Sequence, residues 1–223
     1  NPLEPTTLRL TAECSEPLRK SITFDNVSDA NVSNISKRAF KGCENLGKIS
    51  LPLSLKTIGE SAFEDCKKMY IDTNLSNVEE IGNKAFLYCK EFKCVDNNTD
   101  TSLDLSNITS IGDCAFYGCE ILSTELVLPS SLKSIGIHCF EKSGIKKLDM
   151  SRANKINIIP HNAFCDCTNL TIVELPDSIV YVQLSINIYT VDNLIGKNVT
   201  FDNKYDGVVT LNVWTGYAVN VVS

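Results

Sequence analysis

The sequence predicts an α/β solenoid, with turns of chain stacked on one parallel sheet, short helical turns opposite, and a cap at each end. Two observations carry this. The stretch Ile58-Gly59-Glu60-Ser61-Ala62-Phe63-Glu64-Asp65-Cys66 returns five more times, at 35–43, 81–89, 111–119, 135–143 and 159–167. Its phenylalanines, Phe40, Phe63, Phe86, Phe116, Phe140 and Phe164, are spaced by 23, 23, 30, 24 and 24 residues. Self-similarity at a fixed period marks an architecture in which each unit buries its apolar face only against its neighbours.

A second pattern follows each stretch. Leu46-x-x-Ile49-x-Leu51-Pro52 follows Cys43, and Leu170-x-x-Val173-x-Leu175-Pro176 follows Cys167. This form, with the 23–24 spacing, is that of a leucine-rich repeat. Alternation turns Ile49 and Leu51 to one face of a strand and leaves Lys48 and Ser50 on the other. A proline after the strand ends it, because it offers no N–H to the ladder. The 30-residue interval requires an insertion, and the polar run from Asp96 to Asp100 places it within 93–102.

The combined pattern, IGxxAFxxC followed by LxxIxLPxxLxxIG, resembles the BspA-like (Treponema-type) leucine-rich repeat family over roughly residues 22–182. The resemblance implies a right-handed solenoid on extracellular or cell-surface proteins. It also implies adhesion to host or matrix proteins, or cell–cell aggregation. It implies no catalytic residue and no cofactor.

In chain order, residues 1–34 read as an N-terminal cap with a degenerate repeat. It contains Cys14, which has no counterpart elsewhere. Terminal units of solenoids are atypical because one side of their core meets water. Residues 35–182 hold the six repeats. Ala-Phe is expected in a helical turn with both side chains inward. Gly59, Gly82, Gly112 and Gly136 mark a sharp corner or a close backbone approach. In repeat two, counting forward from Cys66 would put Asp72 and Asn74 in the core. Counting back from Ile81 pairs Leu75 with Leu105 and avoids burying an unpaired carboxylate. Residues 183–223 form a β-rich cap or the start of another module. Turn signals at Asp206-Gly207 and Thr215-Gly216 suggest antiparallel strands there.

Composition excludes some functions. A net charge of -6 lacks the basic footprint of a nucleic-acid binder. No run of 18 apolar residues exists to cross a membrane as a helix. Of ten cysteines, Cys43, Cys66, Cys89, Cys119 and Cys167 each lie three residues after a repeated Phe. Ser143 takes that place in repeat five. Equivalent positions stack in a solenoid, so this row is expected to hold reduced, buried thiols. Disulfides between neighbours are the alternative.

His138 and His161 are the only histidines. Catalysis would need a nucleophile and base in reach with an orienting third group, and His138 beside Cys139, or His161 with Cys165 and Cys167, are the pairs that would supply the first two. Four convergent zinc ligands are not evident. The expectation is therefore a non-enzyme with no cofactor and no metal. Eight N-x-S/T sequons exceed the roughly three or four expected by chance, and fit either glycosylation or repeat-turn composition.

The remaining candidate is the outer face of the strand row. Parallel strands place one side chain per repeat in line, and solenoids bind partners on such extended surfaces. The candidate partner-binding residues are Asp104, Glu125, Val127, Lys147, Asp149 and Glu174, flanked by Lys48, Ser50, Ser102 and Ile172. The expected function is a cell-surface or secreted binding module for a protein partner. The alternative is a structural spacer that presents another domain and has no ligand of its own.

Overall fold

The computed structural model describes residues 32–96, 99–122, 125–170, 172–176 and 178. It also gives the backbone of short strands at Thr6–Leu8, Ser21–Ile22, Tyr181–Val182, Thr200–Asp202 and Val221–Val222. The chain forms a parallel β-solenoid of about six turns, as the period predicts.

Each repeat contributes two short strands, so the single expected sheet becomes two rows. The entry strands lead into the Ala-Phe segment: Val32–Ile35, Thr57–Ile58, Glu80–Ile81, Ser110–Ile111 and Ser134–Ile135. They pair in register, so that Ile35, Ile58, Ile81, Ile111 and Ile135 stack. The exit strands follow that segment: Lys48–Ile49, Tyr70–Ile71, Glu125–Val127, Lys147–Asp149 and Ile172–Glu174. The proline rule explains the second row. Pro52 stops the exit strand, its carbonyl accepts from Leu55 N–H at 3.0 Å, and the chain re-enters extended at Thr57.

The insertion is a β-hairpin. Cys94–Asp96 pairs antiparallel with Thr99–Thr101, inside the predicted interval. It interrupts the exit row, while the entry row runs past it through Glu80↔Ser110. In repeat two, Ile71 pairs with Ile49, and Leu75 and Leu105 are buried. Asp72 stays near the surface with Lys48 Nζ at 2.6 Å.

The expected helical turns are replaced by another geometry, and no helix occurs among the described residues. Ala62 N–H donates to Gly59 C=O at 3.2 Å and Cys66 N–H to Phe63 C=O at 3.0 Å. Ser61 and Asp65 sit at φ 55° and 61°. These are two successive β-turns with a left-handed third residue, as in type II. The same left-handed pairs recur at Arg38/Gly42, Lys84/Tyr88, Cys114/Gly118, His138/Lys142 and Asn162/Asp166. The reason lies between repeats. Ser61, Phe63 and Asp65 donate their N–H groups to Asn83, Ala85 and Leu87 of the next turn at 2.7–2.8 Å. A helix would have spent those donors within its own chain.

Magnitudes decide what holds the stack. Two left-handed residues cost about 1–2 kcal/mol each. Three hydrogen bonds return roughly 0.5–1.5 kcal/mol each, so the ridge nearly breaks even. The net stabilisation comes from the core, where burial of one Phe contributes about 1.5–3 kcal/mol. All six repeated phenylalanines are 0–1% exposed. Consecutive rings lie 5.0–5.4 Å apart with interplanar angles of 1–12°. Cross-repeat pairs such as Lys37–Glu60 and Lys90–Glu120 are exposed and add little.

The repeated glycines answer to close approach. A Cβ on Gly82 would lie 2.7 Å from Glu60 N, and one on Gly136 would lie 2.3 Å from Asp113 N. Neither position has a positive φ.

The end strands extend both rows. Thr6–Leu8 pairs parallel with Val32–Ile35, and Ser21–Ile22 with Lys48–Ile49. At the other end Ile158–Ile159, Tyr181–Val182, Thr200–Asp202 and Val221–Val222 pair in parallel. The antiparallel arrangement expected after 182 is therefore corrected for those strands. The predicted turns at 206–207 and 215–216 lie outside the described residues.

Phe86 is stacked between Phe63 and Phe116 at 5.3 and 5.2 Å. Phe86→Ala is expected to cost about 3–5 kcal/mol through lost burial and a cavity the rigid stack cannot close. Urea unfolding of the full chain measures it, and a loss below about 1 kcal/mol would contradict the stacked core.

Candidate functional site

The exit strands after the hairpin build the candidate face. Leu126, Leu148 and Val173 align in register and are buried, which turns their neighbours outward. One outer row is Glu125, Lys147 and Ile172, and the other is Val127, Asp149 and Glu174. A bridge between Leu103 and Leu126 brings Asp104 alongside the second row. The residues singled out in the sequence therefore share one surface.

Their side chains are more committed than the sequence suggested. Lys147 Nζ stands 3.0 Å from Glu125 Oε1 and 3.5 Å from Glu174 Oε1, spanning three repeats. The Glu125 carboxylate, foremost among its partners, raises the Lys147 pKa. Asp149 Oδ1 accepts from Ser151 N–H at 2.9 Å and Ser151 Oγ–H at 2.7 Å. Burial works against that carboxylate, but the Ser151 donors outweigh it and hold its pKa below the ordinary range. Asp104 caps Ser106 through the same two groups. Such Asx turns are a local structural task. Two of the four carboxylates thus fix turns, and two bracket a lysine. Val127 at 42% and Ile172 at 39% exposure are the large apolar groups left open on this face.

The cysteine row is a hydrogen-bond ladder. Cys66, Cys89, Cys119 and Cys167 are buried, and their thiols donate to the carbonyls of Phe40, Phe63, Phe86 and Phe140 at 2.9–3.3 Å. Ser143 Oγ fills the row 3.3 Å from Cys167 Sγ, consistent with packing and not pairing. Burial pushes the Cys66 thiol up to about 12. Cys43 is the exception, being disulfide-bonded to a partner outside the described residues. The expectation of a reduced thiol is corrected there. Cys43 stands at the start of the row, where no repeated Phe carbonyl precedes it.

The opposite ridge gathers residues that the sequence left scattered. Tyr88 lies over Gly118, where a Cβ would come within 2.9 Å of its ring, and meets Tyr117 edge-on at 5.3 Å. Lys142 Nζ donates to the Tyr117 hydroxyl at 2.9 Å. His138 and His161 meet edge-on at 5.8 Å, and His138 Nδ1 is bonded to Glu141. The imagined nucleophile–base pairs gain no activated thiol. Cys139 is fully buried, with its pKa raised by that burial, and Cys165 is pushed up to about 11, foremost by burial.

Comparison with known proteins agrees with this geometry. The BspA type leucine rich repeat region matches residues 18–104 and 91–205 in six copies. The chain belongs to the BspA-type leucine-rich repeat family. Among solved structures it is similar to the T. pallidum leucine-rich repeat protein. Identity is 26% and the TM-score 0.60, covering 73% of this chain and 72% of that one. It is also similar to a leucine-rich repeat protein of Bacteroides ovatus, at 20% identity and TM-score 0.45, covering 82% of this chain and 46% of that one. No curated protein matches it. Membership in a BspA-type repeat family makes this a protein-interaction module. No helix among the described residues is long and apolar enough to cross a membrane.

Native alkylation is expected to spare Cys66, Cys89 and Cys119. In denaturant without reductant these three should react and Cys43 should not. Mass spectrometry of the alkylated peptides reads this directly, and cross-linked Cys66, Cys89 or Cys119 would contradict the ladder.

Proposed function

We propose that this BspA-type solenoid is a secreted or surface-exposed adhesion module that docks a protein partner on the exit-strand face after the hairpin. The observation that carries this is the alignment of Asp104, Glu125, Val127, Lys147, Asp149, Ile172 and Glu174 on one surface drawn from four repeats. Val127 and Ile172 supply apolar anchors and the ion pairs a polar rim, the usual anatomy of an interface. Four carboxylates against one ammonium favour a partner with a basic patch. The Cys43 disulfide fits an oxidising compartment. A spacer role is the second reading, favoured by parallel pairing that reaches Val221–Val222.

The test replaces Val127 and Ile172 together with Asp, leaving the capping carboxylates in place. Binding to a panel of purified matrix proteins is expected to weaken at least tenfold, with circular dichroism unchanged. Retained affinity would remove this face as the site. No binding by the unmodified protein would favour the spacer.

A further inference from the structure

The ridge between repeats five and six holds a group of side chains that the binding face does not use. Glu141 is only 7% exposed, unusual for a glutamate. His138 Nδ1 is bonded to its Oε2. Lys142 Nζ stands 3.9 Å from its Oε1, with its closer partner the Tyr117 hydroxyl. One repeat later in the stack come Cys165 and Asp166. The Cys165 Sγ and one carboxylate oxygen from each of Glu141 and Asp166 lie within 4.8 Å of one another.

These donors suit a borderline-soft cation. Zinc takes thiolate at about 2.3 Å and carboxylate oxygen at about 2.0–2.2 Å in a tetrahedron, so its ligand atoms stand roughly 3.3–3.7 Å apart. Closing the group from within 4.8 Å to that size takes about 1 Å of movement at the ligand atoms. The thiol selects zinc over calcium or magnesium. Ligating carboxylates in such sites are themselves hydrogen-bonded, the place His138 fills for Glu141.

We propose that Glu141, Cys165 and Asp166 bind one divalent cation of the zinc class, clamping repeat five to repeat six, with His138 orienting Glu141. On binding, the Cys165 thiol releases its proton to solvent and the sulfur lone pair forms the metal bond. Water completes the fourth position. The clamp falls where the repeat signals thin out, with Ser143 in the cysteine row and Pro160 in the glycine row. A cation that binds only the folded stack stabilises it by mass action.

Cobalt(II) chloride titrated into the full chain, with the Cys43 disulfide intact, serves as the probe. A thiolate-to-cobalt charge-transfer band is expected to saturate at one equivalent and to vanish when zinc is added. Cys165→Ser should abolish the band, Glu141→Gln should weaken binding at least tenfold, and Cys114→Ser should leave it intact. Zinc should raise the Tm of the unmodified chain and not that of Cys165→Ser. Should Cys165→Ser fail to fold by circular dichroism, Asp166→Asn takes its place with a tenfold loss expected. Absence of the band overturns the proposal. A band that persists in Cys165→Ser, or in Asp166→Asn at full affinity, means an adventitious ion only and overturns it equally.

Discussion

The structure depends on one constraint: the N–H groups of the turn ridge must reach the carbonyls of the next repeat. Those bonds run at 2.7–3.1 Å through every described interface, from Arg38→Glu60 to Lys142→Cys165. They require left-handed residues twice per turn, although Arg38, Lys84, Tyr88 and Lys142 have no preference for that conformation. They require glycine where one backbone closes on another. They also set the rise that lets phenyl rings stack and thiols reach the preceding carbonyls. Local preference is overruled because the cost recurs alongside burial of a Phe, an Ile and a Leu in each unit.

The face that follows is regular for the same reason. Register fixed in the buried Leu126, Leu148 and Val173 fixes the surface outside them. The turns after those strands then claim part of it. Asp104 and Asp149 stand where the chain must bend, and Ser106 and Ser151 occupy them. An acidic residue on a repeat surface thus has two possible employments, and only its neighbour two positions on reveals which.

Much of this was legible in the chain. The period located the Phe stack, the insertion and the register of repeat two, where Leu75 is buried and Asp72 is not. Side-chain alternation placed all six candidate residues outward. The turn geometry was not legible, because a nine-residue segment with Ala-Phe inside is compatible with a helix. Gly42, Asp65, Gly118 and Asp166 at the second left-handed position, with Asn162 at the first, were the available signal. The second strand row was hidden because its strands are two residues long in most repeats. The group around Glu141 could not be seen at all. Glu141 lies 24 and 25 residues before the adjacent Cys165 and Asp166, and meets them only when one turn is laid on another.

The ridge bonds share a direction: in each, the donor is on the earlier repeat and the acceptor on the later. Aligned peptide dipoles add, as they do along a helix. The ridge is thus a polar rod, with N–H groups directed toward the C-terminal end and carbonyls toward the N-terminal end. Two such ridges placed end to end match donor to acceptor in one orientation only, head to tail. That contact does not close on itself, so any end-on association through the ridge would grow as a filament and not stop at a symmetric dimer.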